Sequence, residues 1–504
     1  MDPTRDSTIA LGAVAVVACI AIRAATKPSP PLPPGPPKSP IIGNIMYLAT
    51  DKGWEAFHQW SKELDSELIS LTGCGKTVVI TNSFASTKGV FERTSAGDRP
   101  QLMTLNELVG WKNSVIFSAF NDNWKRQRRQ LHQIIGTRAS STRYDHMKEA
   151  AAAKFVLGLV EEPERLEEHC HTFAGDLILR MTYGYFSKGY DPMIKMAEEI
   201  TDGVSDFGAP GKWMVDIFPW LRLIPSWVPG TGWQQVVKER RDDLRKLVNE
   251  PYEWVQKEMD AGRAAPSFVS ELLSEKGHSP DDIFSMKWSA GSLFAGGSHT
   301  TTWTIYAFMK MMCVHPEIQA RAQAEVDRVI GRDRLPRVAD REDCPYICAC
   351  IAETLRWHVV LPQAVPHQAM DDIIYGDYVI PKGSIILPNL WALSRDEKEY
   401  PEPHTFNPER YLGENPQRSP LDWVFGFGRR VCPGRLMAQE SMFVVCASTL
   451  ATMNISRKTK DGIPVPIDLT QTAGLASRPT YFEYDVKPRN GQVRSLVDDA
   501  LLAQ

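Results

Sequence analysis

The sequence predicts one large, mainly α-helical unit with a small β portion, and three observations carry that expectation. Helical periodicity runs through "EHCHTFAGDLILRMTYGY", "WQQVVKERRDDLRKLVNEPYEWVQKEMD" and "HPEIQARAQAEVDRVIG". Strand-like text is sparse: "ELISLTG" and "KTVVITN" near residues 67–82, then "YVIPKGSIILPN" near 378–389. The β portion is therefore expected chiefly near the N-terminal third. The third observation is Ser279-Pro280-Asp281-Asp282, a cap, a first-turn proline and two acids, which opens a helix expected to reach about Val314. At roughly 35 residues this helix must cross the whole molecule.

The chain has 504 residues and 43% hydrophobic content, enough to bury a large core. Length alone would allow about three domains, yet no repeat or low-complexity linker divides it after about Pro40. A net charge of −4 lacks the basic footprint of nucleic-acid binding. Nine cysteines without framework spacing favour a reducing compartment, where a functional cysteine is a ligand or nucleophile.

At the N-terminus an uncharged apolar run from Ile9 to Ile22 is shorter than the roughly 20 residues that span hydrocarbon. Ser7, Thr8, Ala24 and Ala25 can lengthen it, with Arg23 snorkelling to the interface. Residues 1–26 are read as an uncleaved single-pass anchor; a cleaved signal would want its positive charge before the run. Arg23 and Lys27 follow it, which places the body in the cytosol. Residues 27–40, "KPSPPLPPGPPKSP", form a stiff proline-rich hinge. Residues 41–504 are read as one globular body.

The strongest local signal is "FGFGRRVCPG", residues 425–434. Gly426 and Gly428 allow close backbone approach or unusual φ values. Cys432 precedes Pro433 and the helical text "GRLMAQESMFVVCASTLATM", so it is expected at or near a helix N-terminus. There dipole and free N–H groups, with Arg430 close by, favour thiolate. In the long helix, "LFAGGSHTTTWT" (293–304) places two glycines, a histidine and four threonines where a mere core helix would not. Two further clusters, "CPYICAC" (Cys344, Cys348, Cys350) and "HCH" (His169 to His171), lack the paired spacing of a zinc site. Buried helix cysteines and incidental neighbours are the expectation for them.

With these residues in view, the sequence resembles the cytochrome P-450 monooxygenases, fungal microsomal type, over essentially its whole length. The haem signature F-x-x-G-x-R-x-C-x-G is filled by Phe425, Gly428, Arg430, Cys432 and Gly434. The resemblance implies the cytochrome P-450 fold, with a cysteine-ligated haem and the long helix on its distal face. It makes Cys432 the metal ligand and gives Trp124 and Arg128 of "NWKRQRRQLH", His367 and Arg430 to the haem propionates. Glu353 and Arg356 of "ETLR", with Arg410 of "FNPERY", become a buried structural network. The pattern A/G-G-x-D/E-T-T maps onto Gly296 to Thr301, with Thr300 as a catalytic hydroxyl beside a helix that opens locally. This chain has His299 where the family has an acid, so His299 is either a proton relay or a packed neutral ring.

The resemblance also implies haem b (iron protoporphyrin IX), O2 as co-substrate and electrons from NADPH through a separate reductase. NADPH-cytochrome P-450 reductase is the expected partner, with cytochrome b5 as a further donor. "GCGKTVV" lacks the spacing of a phosphate loop, and Lys125, Arg126 and Arg129 form a basic patch that could dock an acidic reductase. The expected location is the endoplasmic reticulum membrane. The pocket is expected to be lined by Ile116, Phe117, Leu293, Phe294, Val359, Val360, Leu361 and Leu475 and to take an apolar or aromatic small molecule. Hydroxylation in fungal specialised metabolism of terpenoids, polyketides or indoles follows from the resemblance. The alternatives are a haem-thiolate isomerase, dehydratase or peroxide user needing no reductase, and a non-catalytic haem or lipid carrier.

Overall fold

The structure is a computed structural model and describes residues 30–39, 43–208, 213–275 and 277–502. The helices that position the site are, in chain order, α1 (Asp122–Ile135), α2 (Asp145–Glu161), α3 (Leu166–Tyr183) and α4 (Pro192–Phe207). They are followed by α5 (Trp233–Asp260), α6 (Pro280–Val314), α7 (Pro345–Trp357) and α8 (Arg435–Thr452). Helix α6 is the axis of the molecule: it packs most extensively on α3, and also on α1, α4, α5, α7 and α8. It carries no single apolar stripe, because neighbours cover it on all sides along most of the stretch from Ser285 to Cys313. The start signal works as a reciprocal cap. Ser279 accepts the Asp282 N–H, and the Asp282 carboxylate accepts from the Ser279 N–H and hydroxyl.

Helix α5 runs through Pro251, which ordinarily costs an interior helix about 3 kcal/mol. The helix continues because Leu247, Val248, Tyr252 and Val255 are buried on either side of the proline. Tertiary packing outweighs the local defect.

The main sheet joins two distant parts of the chain. Strands β1 (Leu68–Gly73) and β2 (Lys76–Thr81) form a hairpin whose turn, Cys74-Gly75, has positive φ at both residues. Strand β3 (His367–Gln368) pairs antiparallel with β4 (Ile385–Pro388), and β4 pairs parallel with β2. The β structure is thus not confined to the N-terminal third. Two C-terminal strands, β5 (Met453–Arg457) and β6 (Tyr484–Pro488), add an antiparallel ladder that the sequence did not lead us to expect. They are short and carry weak alternation, so only pairing reveals them.

The proline segment is bound to the body over its described part. Carbonyls of Pro31, Pro33, Pro34 and Pro36 accept from Val379 N, Ser70 Oγ, Ser70 N and Asn44 Nδ2 at 2.6–3.0 Å. Proline has no N–H but keeps its carbonyl, so an extended proline strand serves as an acceptor edge. From Pro30 to Ser39 the segment is therefore a strap laid on the sheet, not a free spacer. The expected anchor, residues 1–26, lies outside the described residues. Among those described, no helix is long and apolar enough to cross a membrane.

Replacing Ser279 by Ala removes both hydroxyl hydrogen bonds of the α6 cap and should cost about 1 kcal/mol of stability. Thermal unfolding of the two proteins side by side measures it; an unchanged melting temperature contradicts the capping assignment.

Candidate active site

A cavity of about 350 Å³ lies between α6 and the segment that ends at Cys432, within the size range of small-molecule and cofactor pockets. Its walls separate by chemistry. Ile116, Phe117, Leu293, Val360, Leu361 and Leu475 give it an apolar side, together with Ile178 of α3. Arg99, Trp124, Arg128, His367 and Arg430 give it a cationic side, and Cys432 forms part of the floor. Two expected lining residues are not there. Phe294 is fully buried in the core against Tyr183, at 6.2 Å between ring centroids, because its position on α6 faces α3 rather than the cavity. Val359 is likewise buried in the cluster that includes Trp423 and Phe427.

The Cys432 loop is held by its own backbone. Cys432 N–H donates to the Phe425 carbonyl at 2.8 Å, and Gly426 and Gly428 both adopt positive φ. Gly428 has no substitute: a Cβ there would stand 2.4 Å from the Phe91 carbonyl oxygen. Helix α8 begins at Arg435 with Gly434 as its cap, so Pro433 precedes the helix and Cys432 stands two residues ahead of the cap. The expected thiolate is not favoured by this environment alone. Burial pushes the Cys432 thiol up, against the Gly434 N–H and the Arg128 and Arg435 guanidinium groups. A metal ion is what would deprotonate such a buried sulfur outright.

The cationic side is satisfied in hydrogen bonds but not in charge. Arg430 donates to the carbonyls of Gly97 at 2.8 Å and Ser118 at 3.0 Å. Arg99, which carries no local signal of a site, donates to Ile116, Val365 and Pro366 carbonyls at 2.7–2.9 Å. Arg128 donates to the Val431 carbonyl at 2.9 Å, next to Cys432. All these acceptors are neutral. Burial lowers the Arg99 and Arg430 pKa values, Arg430 to about 9, and the guanidinium groups lower one another, with Asp98 the nearby opposing charge. Trp124 adds a buried indole N–H with no partner among the described residues, under the Arg430 guanidinium at 4.3 Å. His367 Nδ1 donates to the Ala96 carbonyl at 2.7 Å, and burial beside Arg99 and Arg430 keeps the ring neutral. Its Nε2 becomes a donor only against an anion. A porphyrin with two carboxylates fits this set: the sulfur suits its iron, and the orphan N–H and unpaired cations suit its anionic edge. No lone arginine in "GDRP" could have signalled Arg99; it is brought in by the fold.

Helix α6 does not open. It is continuous α-helix from Pro280 to Val314, and the Thr300 hydroxyl donates to the Gly296 carbonyl at 3.0 Å. That back-bond occupies the carbonyl expected to be free. The two glycines serve different purposes. A Cβ on Gly297 would meet Ile178 Cδ1 at 2.7 Å, so Gly297 lets α3 approach, whereas Gly296 keeps the cavity wall thin. His299 is buried; its Nε2 lies 2.9 Å from the Asp202 carboxylate of α4 and accepts from Trp303 Nε1–H at 3.0 Å.

Beside the loop that leads to Cys432 sits a second charge cluster, and this one is complete. The Glu353 carboxylate accepts from Arg356 Nε and Nη2, both at 2.8 Å, from Arg410 Nε at 3.2 Å, from Asn407 N–H at 2.8 Å and from the Tyr411 hydroxyl at 2.8 Å. Arg356 also donates to the Ser394 and Pro403 carbonyls. Both Glu353 and Arg356 are wholly inaccessible to solvent. Of the cysteines of "CPYICAC", Cys344 and Cys350 are buried in the core and Cys348 is half-buried against it, and burial pushes the Cys344 thiol up to about 12.

A sulfur donor at the floor of a cavity whose opposite edge is built for carboxylates defines a haem-thiolate protein. The cytochrome P-450 family model matches residues 33–484, and the chain belongs to that family. Cytochrome P-450 monooxygenase 208 of Postia placenta is 36% identical over 464 residues, covering 91% of this chain and 90% of its own length. The monooxygenase claR of Ampulloclitocybe clavipes is 35% identical, covering 91% and 86%. The monooxygenase ppsD of Aspergillus oryzae is 34% identical, covering 91% and 89%. A zebrafish cytochrome P-450 solved with abiraterone shares the fold at a TM-score of 0.68, with 24% identity over 87% of this chain and all of that one. The protein is a cytochrome P-450 monooxygenase, with the family's haem iron and O2 chemistry.

Glu353→Gln keeps the shape but removes the charge that Arg356 and Arg410 share. It should cost about 3–5 kcal/mol, read from chemical denaturation. Arg99→Leu should speed transfer of haem to an apoprotein scavenger by about 10-fold or more, as expected for one lost charge-assisted contact. Arg126→Gln, on the flank of α1 that faces Asp281 and Asp282 and away from the cavity lining, should leave that rate unchanged.

Proposed function

We propose that this monooxygenase uses haem b, takes electrons from NADPH through a separate reductase, and hydroxylates an apolar or aromatic small molecule of fungal specialised metabolism. The observation that carries the reading is the division of one cavity into a sulfur floor, a cationic edge and an apolar wall. Cys432 would hold the haem iron, and the haem would supply oxygen activation and insertion, favoured by electron density from the thiolate. Arg99, Arg128, Arg430 and Trp124 would hold its carboxylates. Ile116, Phe117, Leu293, Val360, Leu361 and Leu475 would exclude water and hold the substrate against the α6 face. The Thr300 hydroxyl lines that face, and while it donates to the Gly296 carbonyl its free lone pair would accept a hydrogen bond there. The cavity offers an apolar substrate few polar contacts, since the Ser292 hydroxyl is already bonded to that of Ser114 at 3.0 Å.

The exposed face near Cys432 supports a docked electron donor. Lys125 is paired with Asp122, and Arg126 lies 3.7–3.8 Å from Asp281 and Asp282, so these two are partly neutralised. Arg129, Arg429 and Arg435 are exposed and extend the basic surface around the thiolate loop. Membrane attachment rests on two features: the apolar run of residues 9–22, and the exposed side chains Met214, Trp220, Leu223 and Trp227. Trp220 and Trp227 are 61% and 81% exposed, the placement expected of interfacial anchors. Attachment at the endoplasmic reticulum with the body in the cytosol is the arrangement that fits the charge following the run.

Cys432→Ser should abolish the thiolate-specific absorption of the reduced carbon-monoxide complex and all NADPH-driven product. Microsomes containing the protein, offered a panel of terpenoid, polyketide and indole substrates, should give a spectral shift and a product one oxygen heavier from at least one class. Turnover that needs neither NADPH nor reductase would favour the isomerase, dehydratase or peroxide reading.

A further inference from the structure

His299 borders two cavities. It lines the reaction cavity next to Thr300, and it also lines a polar crevice of about 330 Å³ bounded by Asp202, Arg478, Trp303, His171 and Glu198. Two neighbours make opposite demands on its Nε2. The Trp303 N–H, donating at 3.0 Å, needs a lone pair there. The Asp202 carboxylate, 2.9 Å away, needs a proton there. Both cannot be met at once, so two arrangements of this proton compete. The other ring nitrogen, Nδ1, is buried with no hydrogen-bond partner among the described residues, in a side chain only 2% exposed. Asp202 is 38% exposed, which opens the pair to solvent, and it is also bound by Arg478 at 2.6 Å. The remaining charged groups lining this crevice are His171, paired with Glu198, Glu167, 4.0 Å from His171, Glu164, and Arg165, which is paired with Glu168.

We propose that His299 and Asp202 form a proton entry from the polar crevice into the reaction cavity. A proton from solvent passes by the Asp202 carboxylate to His299 Nε2, breaking the Trp303 hydrogen bond. The ring, now an imidazolium, releases its other proton from Nδ1, which no side chain or carbonyl of the described residues occupies, to a water molecule of the reaction cavity. One proton enters, one leaves, and no electrons move. The ring is left as the Nε2–H tautomer, and a half-turn about Cβ–Cγ carries that N–H to the cavity face and presents the Nδ1 lone pair to the crevice for the next proton. Asp202 is supplied by α4, so an acid missing from α6 itself is provided by a neighbouring helix. Arg478 is a positioning residue that keeps the Asp202 carboxylate ionised: burial works to raise its pKa, but His299 and Arg478 together hold it below the usual range.

The rival explanation is a clamp: the same contacts merely lock α4 to α6. Full-length holoenzyme with reductase separates the two. The variants are His299→Gln, Asp202→Asn, Asp202→Glu and Arg478→Met, read by peroxide formed per NADPH, by the solvent deuterium isotope effect on product, and by the C–O stretch of the reduced carbon-monoxide form. His299→Gln and Asp202→Asn should lower product per NADPH by about 10-fold or more, enlarge the isotope effect and shift the stretch. Asp202→Glu should restore coupling, and Arg478→Met should keep most of it. Unchanged coupling and isotope effect in His299→Gln with haem fully bound would overturn the proposal, as would an Arg478→Met enzyme as uncoupled as Asp202→Asn. Should His299→Gln fail to fold, the Asp202 and Arg478 variants decide. The inference rests on the haem-thiolate reading, which fails separately, by the absence of bound porphyrin in the unaltered protein.

Discussion

Buried positive charge without a matching anion is the constraint on which this structure turns. Arg99, Arg128 and Arg430 converge on one edge of a cavity with every named hydrogen bond ending on a neutral carbonyl. Carbonyls satisfy donors but cannot cancel charge, and charge taken out of water is costly unless paired. The Glu353 cluster shows what a finished arrangement looks like. There one carboxylate accepts from two guanidinium groups, a backbone N–H and a phenol. One cluster is built around a carboxylate of the chain's own; the other has guanidinium groups that bond only to carbonyls and leaves room for an anionic ligand. That difference separates scaffold from binding site without reference to any relative.

The two clusters also divide the labour of presenting Cys432. The Glu353 cluster ties α7 to the 403–411 segment, ahead of the thiolate loop. Arg128 ties α1 to Val431, one residue before the sulfur. Between them the loop is fixed at both approaches, and Gly428 admits the Phe91 carbonyl where any side chain would collide. Rigid placement of one atom is what a metal ligand requires.

Helix α6 carries three unrelated tasks within five residues. Gly297 is a packing residue for α3, Thr300 faces the cavity while bonded to Gly296, and His299 reaches the polar crevice behind. A helix places neighbours about 100° apart, so adjacent residues serve different surroundings. This explains why the glycine–threonine cluster reads as one motif in sequence yet acts in several directions in space.

Elements whose signals are local were legible in the chain before any contact was known. The 35-residue helix with its Ser279 cap, the β1–β2 hairpin, the Cys432 loop and the spacing of Glu353 and Arg356 all follow from periodicity, turn chemistry or a short motif. Whatever depends on a partner far along the chain was settled by folding. Phe294 sits one residue from Leu293, yet only the position of α3 makes it core rather than pocket lining. The Pro30–Ser39 segment becomes a strap only because Ser70 and Val379 offer donors. Arg99 and Asp202 carry no signal of their own, since a single charged residue reads as surface until the fold buries it against charges more than a hundred positions away or beside His299. Periodicity is written in neighbours three or four apart; charge compensation is settled among residues that meet only after folding.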